Sequence, residues 1–216
     1  KEMLGETTDY IINEKGEFVH PNTLLALLYH YYLSYKGEKG AVVRNLSTTH
    51  MLDQIAKKHG QKVIETPVGF RFISEGMMKN DAIIGGESSG GLTLRGHIPG
   101  KDGIFAAVRL VEMLSVTGKS MSELQRELEE EYGKLYLFEG DYSLPSEKEK
   151  QAIHQIIFTE KQIPDYDQDI EKISYMDGLK IYFKDGSWIS MRFSGTEPLI
   201  RIFAESPNQH ALNNIV

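Results

Sequence analysis

The change of rhythm at Gly133 constrains the fold of this chain more than any other feature. Before it, short apolar runs alternate with longer runs at helical spacing. Ala41-Val42-Val43, Lys62-Val63-Ile64-Glu65 and Ala82-Ile83-Ile84 read as strands. Pro21 suits a first helical turn and is followed by Leu24, Leu25, Leu27, Leu28 and Tyr31. Ser47-Thr48-Thr49 offers caps to a helix that Gly60 closes, and Phe70 to Met78 reads as helical. Asp102 caps a long helix with Ile104, Ala107, Val108 and Val111 along one side, and Ser122 to Tyr132 forms another. Such alternation implies a mainly parallel α/β sheet with helices packed on it.

After Gly133 the strands cluster. Lys134 to Tyr142 reads as a strand or linker and Ser146 to Lys161 as an amphipathic helix. Ile173 to Tyr175, Leu179 to Phe183, Trp188 to Phe193 and Ile200 to Ala204 follow as strand-like runs. Asp177-Gly178 and Asp185-Gly186 separate the first three, and Asp-Gly is strong hairpin punctuation. This pattern predicts a small α+β domain with its own sheet. The boundary is expected near residues 134–142, giving domains over 1–136 and 137–216.

Two segments look chemical. Ile84-Gly85-Gly86-Glu87-Ser88-Ser89-Gly90-Gly91 puts a flexible turn at the carboxyl end of a buried strand, where α/β proteins bind ligands. Glu87 can accept hydrogen bonds from two neighbouring hydroxyls, Ser89 can donate or accept, and the glycines admit a ring close to the backbone. A plain surface turn with a solvated glutamate is the alternative. Gly86-Glu87-Ser88-Ser89-Gly90 also satisfies the G-x-S-x-G elbow of serine hydrolases. That elbow needs a helix directly after the serine, and Gly91-Leu92-Thr93-Leu94-Arg95-Gly96 opens one poorly. Downstream, Lys101 can neutralise a phosphate or donate to a sugar oxygen, and His97 can donate or shuttle a proton. As isolated residues, they are more ordinarily read as a solvated surface charge and a packed loop histidine.

Arg192-Phe193-Ser194-Gly195-Thr196-Glu197-Pro198, with Arg201 five residues after Thr196, is the second segment. Small polar residues around a glycine can turn backbone N–H groups inward, and guanidiniums match phosphate oxygens in pairs. The alternative is a tight turn whose arginines pair with Glu197 and Glu205. Such a basic pocket stands out against 24 basic and 31 acidic residues, a net charge of -7. That balance argues against general nucleic-acid or acidic-membrane binding.

Together these segments resemble the α-D-phosphohexomutase superfamily, which includes phosphoglucomutase, phosphomannomutase and phosphoglucosamine mutase. Gly86-Glu87-Ser88-Ser89-Gly90-Gly91 is similar to its sugar-selecting loop, and Arg192 to Pro198 to its phosphate loop. Thr66-Pro67-Val68-Gly69-Phe70-Arg71 and His97 with Lys101-Asp102-Gly103 match two further family stretches, in the right order. The resemblance implies an α/β sugar-binding domain followed by a small antiparallel, TBP-like α+β domain. It implies that Glu87 and Ser89 bind sugar hydroxyls, aided by Lys101 and His97, with Val68 and Gly69 lining the wall. It assigns Arg192, Ser194, Gly195, Thr196 and Arg201 to the phosphate that is not reacting. Ser88 stands where the family often has glutamate or methionine, which leaves the exact sugar open. The Gly-Gly ending and longer connection are closer to phosphoglucomutases.

The family's phosphorylated serine, in S-H-N-P, and its magnesium loop, D-G-D-x-D-R, do not occur in this sequence. Met3 to Thr8 fall at the loop's place and match no ligand. No catalytic residue or metal ligand is therefore expected in this chain. By resemblance the whole enzyme is an isomerase that uses Mg2+ and a hexose 1,6-bisphosphate intermediate to interconvert hexose 1- and 6-phosphates. A chain opening on Lys1 is expected to be a piece of that protein, inactive alone. Phosphomannomutase, a non-catalytic sugar-phosphate-binding protein and a serine hydrolase are the alternatives. The partner implied is a small hexose phosphate, and the sequence is silent on oligomeric state. With no cysteine, no membrane-length apolar run and no signal-peptide core at its start, the chain is expected in the cytoplasm.

Overall fold

A computed structural model of the chain describes residues 11–194 and 197–216. The chain divides into two compact units, the first ending at Gly133 and the second beginning at Lys134.

In the first unit β3 (Val42–Asn45) runs parallel to β4 (Val63–Thr66) and β5 (Ile84–Gly86). β6 (Leu92–Leu94) pairs antiparallel with β5, so the sheet order is β4-β3-β5-β6. Crossover helices α2 (Met51–Lys58) and α3 (Phe70–Asn80) link the parallel strands. Helices α1 (Pro21–Ser34), α4 (Gly103–Thr117) and α5 (Met121–Tyr132) complete the unit. A small hairpin of β1 (Ile11–Ile12) and β2 (Phe18–Val19) precedes α1.

The local chemistry accounts for the helix ends. Pro21 occupies the start of α1, where His20 Nδ1 accepts from the Asn22 N–H at 3.1 Å. Asp102 caps α4 by accepting from the Phe105 N–H at 2.9 Å. Ser120 and Glu123 form a reciprocal capping box on α5. Of the expected Ser47-Thr48-Thr49 caps, Thr49 serves α2, its Oγ1 accepting from the Met51 N–H, whereas His50 precedes the helix without a side-chain cap. Thr48 is used elsewhere, as shown below. α1 is nearly engulfed, and Leu25, Leu27, Leu28 and Tyr29 sit with Val42, Val43 and Ile84 in the core. Each such side chain contributes about 1.5–3 kcal/mol.

On α4 the apolar side expected to matter is not the buried one. Ala106, Leu110 and Met113 face inward, whereas Ile104 is 80% exposed and Val108 and Val111 are also open. Both faces of this helix are apolar, so spacing alone could not choose between them.

The second unit is a five-stranded antiparallel sheet in the order β7-β11-β10-β9-β8. Its strands are β7 (Tyr136–Ser143), β8 (Ile170–Ser174), β9 (Leu179–Phe183), β10 (Trp188–Phe193) and β11 (Leu199–Ser206). The helix expected over 146–161 is α6 (Glu147–His154), which widens into a π-helical turn at Gln155–Thr159. α7 (Gln209–Ile215), which the pattern did not reveal, adds Leu212 and Ile215 to the core of Ile157, Leu179, Ile181, Phe183 and Ile189. Trp188 is fully buried in this unit, its Nε1–H donating to Glu205 Oε1 at 3.2 Å. Both Asp-Gly turns form, with Gly178 and Gly186 at φ +89°. Among the described residues no helix is long and apolar enough to cross a membrane.

Candidate functional site

Strands β3, β4 and β5 point the same way, so their carboxyl ends deliver Asn45, the Val68-Gly69 loop and Glu87 to one edge of the sheet. Glu87 follows β5 directly and is only 5% exposed. Its Oε1 accepts from Asn45 Nδ2 at 3.0 Å and from the Gly69 N–H at 3.1 Å. Its Oε2 lies 3.5 Å from Lys101 Nζ. Hydrogen bonds to an ionised oxygen are roughly twice as strong as neutral ones, so the carboxylate is firmly held. A solvated glutamate on a surface turn is thereby excluded.

Lys101 reaches Glu87 by lying across Gly91. A Cβ at position 91 would fall 2.5 Å from Lys101 Cε and 2.8 Å from its Cδ, so glycine makes room for the lysine stem. The ammonium also stands 5.6 Å from the centre of the Phe70 ring. Ser89 is exposed at the turn's tip, and Val68 is half-buried beside Gly69. His97 is engaged at the start of α4. Its Nε2 is 3.0 Å from Asp102 Oδ2, and its ring stacks on Phe105 at 3.6 Å. The Phe105 N–H, then His97, hold the Asp102 carboxyl below its ordinary range. His97 thus braces the start of α4.

Ser88 is buried and its N–H donates to Thr48 Oγ1 at 3.1 Å. Strand β6, not a helix, follows the serine, so the hydrolase elbow is absent.

In the second unit Arg192 on β10 and Arg201 on β11 are directly opposed, and Asp141 on β7 opposes Arg201. Opposed residues share a face, so the two arginines stand on one face of the sheet, where like charges opposite each other are unfavourable without nearby anions. Arg192 Nη2 pairs with Asp177 Oδ2 at 3.2 Å, and Arg201 Nε with Asp141 Oδ2 at 3.7 Å. Among the described residues these ion pairs hold the two arginines. Arg192 Nε is buried and has no hydrogen-bond partner among the described residues, a donor suited to an anion. Ser194 Oγ accepts from the Glu197 N–H at 3.2 Å. Gly195 and Thr196 lie outside the described residues, as do Met3 to Thr8. Lys150 on α6, not singled out in the sequence, donates to the Glu197 carbonyl at 3.2 Å and adds a third cation beside this loop.

Another polar cluster, His30, His59 and Glu131, has ligand-type atoms within 4.8 Å of one another. The Tyr132 hydroxyl sits 2.9 Å from His30 Nδ1 and 3.2 Å from His59 Nε2, and Ser34 Oγ touches both rings. Lys58 Nζ is 2.9 Å from Glu131 Oε1. With these partners engaged, the cluster staples α1, α2 and α5 together.

Residues 20–132 match the family described as phosphoglucomutase/phosphomannomutase, alpha/beta/alpha domain III, and residues 147–216 match its C-terminal domain. The chain belongs to the phosphoglucomutase/phosphomannomutase family. It is 34% identical over 198 residues to a phosphoglucomutase/phosphomannomutase of Thermococcus kodakarensis, covering 92% of this chain and 41% of that protein. A probable phosphoglucosamine mutase of Methanosphaera stadtmanae is also 34% identical, over 94% of this chain and 42% of its own length. The chain thus spans about two fifths of these relatives. The crystal structure of a phosphomannomutase of Thermus thermophilus, itself named as putative, superposes with a TM-score of 0.74 at 27% identity, over 95% of this chain and 41% of that one. Its relatives are mutases of the phosphohexomutase superfamily, and the α/β unit followed by an antiparallel unit is that superfamily's fold.

Proposed function

We propose that this chain is the sugar-reading and phosphate-holding part of a phosphohexose mutase, with glucose phosphate as the substrate of the whole protein. The observation that carries the reading is Glu87, a buried carboxylate held on one side by Asn45 and Gly69 and faced by Lys101 on the other. An acceptor and a cationic donor side by side suit adjacent oxygens of a sugar ring. The opposed Arg192 and Arg201 with Ser194, and by resemblance Gly195 and Thr196, would hold the distal phosphate.

In the whole protein a phosphoserine would give its phosphoryl group to the hexose phosphate, and the bisphosphate would turn over before returning the other phosphate. Phosphoryl transfer of this kind rests on positioning and charge stabilisation. Magnesium would assist there, but among the described residues the sugar loop does not suit it. Glu87 is the acidic group of that loop: its Oε1 is filled by Asn45 and Gly69, and its Oε2 faces the Lys101 ammonium, which repels a second cation.

This chain alone should bind glucose 1-phosphate weakly and turn over none. A coupled assay with added magnesium and glucose 1,6-bisphosphate tests this, and robust turnover by the purified chain would refute it. Several relatives are named phosphoglucosamine mutases, which makes an amino sugar the second reading. A panel of glucose, mannose and glucosamine 1-phosphates on the whole protein separates the readings.

A further inference from the structure

We propose that Asn45, braced by Thr48, is a positioning residue that makes Glu87 present a single carboxylate oxygen, Oε2, to the sugar. The inference rests on the reading of Glu87 as the sugar-binding group and adds what controls its geometry. The sequence alone suggested a carboxylate able to accept from two neighbouring hydroxyls, without saying which oxygen does so. In the structure Oε1 already accepts two donors, one from Asn45 and one from the Gly69 backbone. A carbonyl-type oxygen has two lone pairs, so Oε1 has no acceptor capacity left. Oε2, with Lys101 Nζ at 3.5 Å, is the oxygen that a sugar hydroxyl can reach.

The orientation of Asn45 is set by its own partners. Its Oδ1 accepts from the Ser47 N–H at 3.0 Å and from the Thr48 hydroxyl at 2.8 Å. With two donors on that oxygen, a flipped amide would place NH2 against them, so Nδ2 must face Glu87. The Thr48 oxygen in turn accepts from the Ser88 N–H at 3.1 Å, fixing the residue next to Glu87. Asn45, Thr48, Glu87 and Ser88 are all buried, so no water replaces a lost partner. The network ties together the ends of β3 and β5 and the loop before α3, three places far apart in the chain. A polar side chain at the end of β3 thereby decides how a loop 42 residues later meets its ligand.

The test uses the 216-residue chain, calorimetric titration with glucose 1-phosphate, and inorganic phosphate as the comparison probe. Asn45→Leu should weaken glucose 1-phosphate about tenfold, the loss expected for one charge-assisted hydrogen bond, and leave inorganic phosphate unchanged. Asn45→Asp, which sets a carboxylate against Glu87, should lose more. Thr48→Val, close in shape, should give a smaller loss and shift the Ser88 amide in a 1H–15N spectrum without ligand. The Gly69 amide should shift in Asn45→Leu for the same reason. If Asn45→Leu does not fold, Asn45→Asp and Thr48→Val carry the same comparison. Equal weakening of both probes would mark a general structural role and overturn the proposal. So would unchanged glucose 1-phosphate affinity in the Asn45 variants while Glu87→Gln loses it, a result that leaves the sugar-site reading standing. If Glu87→Gln keeps full affinity, the reading itself fails and the inference falls with it.

Discussion

Arg44→Met is the most informative perturbation of the first unit. The Arg44 side chain is 3% exposed and makes a two-pronged pair with Asp53, at 2.7 and 2.9 Å, and a third bond to Glu65 at 2.6 Å. Burial works against its charge, but Asp53 and then Glu65 more than offset this and hold the guanidinium above its ordinary pKa. Removing one partner of a buried ionic group costs about 3–5 kcal/mol, because the others are stranded. Asp53 is about one-third exposed and can rehydrate, whereas Glu65 is 17% exposed, so the lower end, about 3 kcal/mol, applies. With a urea slope of about 2 kcal/mol per molar, the midpoint should fall by about 1.5 M. Far-UV circular dichroism is the assay, since α1 to α5 all lie in this unit. Arg44→Met with Glu65→Leu should recover part of the loss, because an apolar trio strands less charge. A midpoint for Arg44→Met within about 0.3 M of the parent would refute the reasoning.

Gly178→Ala and Gly186→Ala form a matched pair, since both glycines sit at φ +89°. A Cβ at 186 meets nothing within 4 Å, whereas one at 178 strikes the Met191 carbonyl and lies 2.7 Å from Arg192 Cγ. Calorimetry should show Gly186→Ala losing about 1 kcal/mol and Gly178→Ala a further ~1–3 kcal/mol. Equal losses would deny the close approach. His30 supplies the pH dependence: burial lowers its pKa, despite Glu131 and Glu127, while His59 and Lys58 add to the lowering. Below the unfolded value, about 6.5, the unfolded chain binds more protons than the folded one. This contribution is therefore intact above about pH 6.5 and is lost as pH falls through the window down to the folded value. Urea midpoints at pH 7.5 and 5.5 should differ less in His30→Asn than in the parent, and an unchanged difference would remove His30 from the account.

The fold was legible where a local rule decides it. Pro21 and Asp102 mark helix starts by their own backbone chemistry, and Asp177-Gly178 and Asp185-Gly186 mark turns. The buried face of α4 was not legible, because Ile104 and Val108 are as apolar as Ala106 and Leu110 and only tertiary packing selects between them. At the site, the glycine-rich loop singled out Glu87 as a candidate, and Lys101 was singled out by the family resemblance. Asn45 could not be read, since its partner is 42 residues away and meets it only once three parallel strands align. Lys150 was hidden for the same reason, on a helix with ordinary surface composition.

Trp188, the single tryptophan of the chain, divides the molecule for spectroscopy. It is enclosed in the second unit with the Lys180 ammonium 4.2 Å above its ring, so its emission reports on that unit's interior. An optical titration therefore sees the arginine-bearing sheet directly, while the loop around Glu87 stays dark unless an indole is engineered beside it.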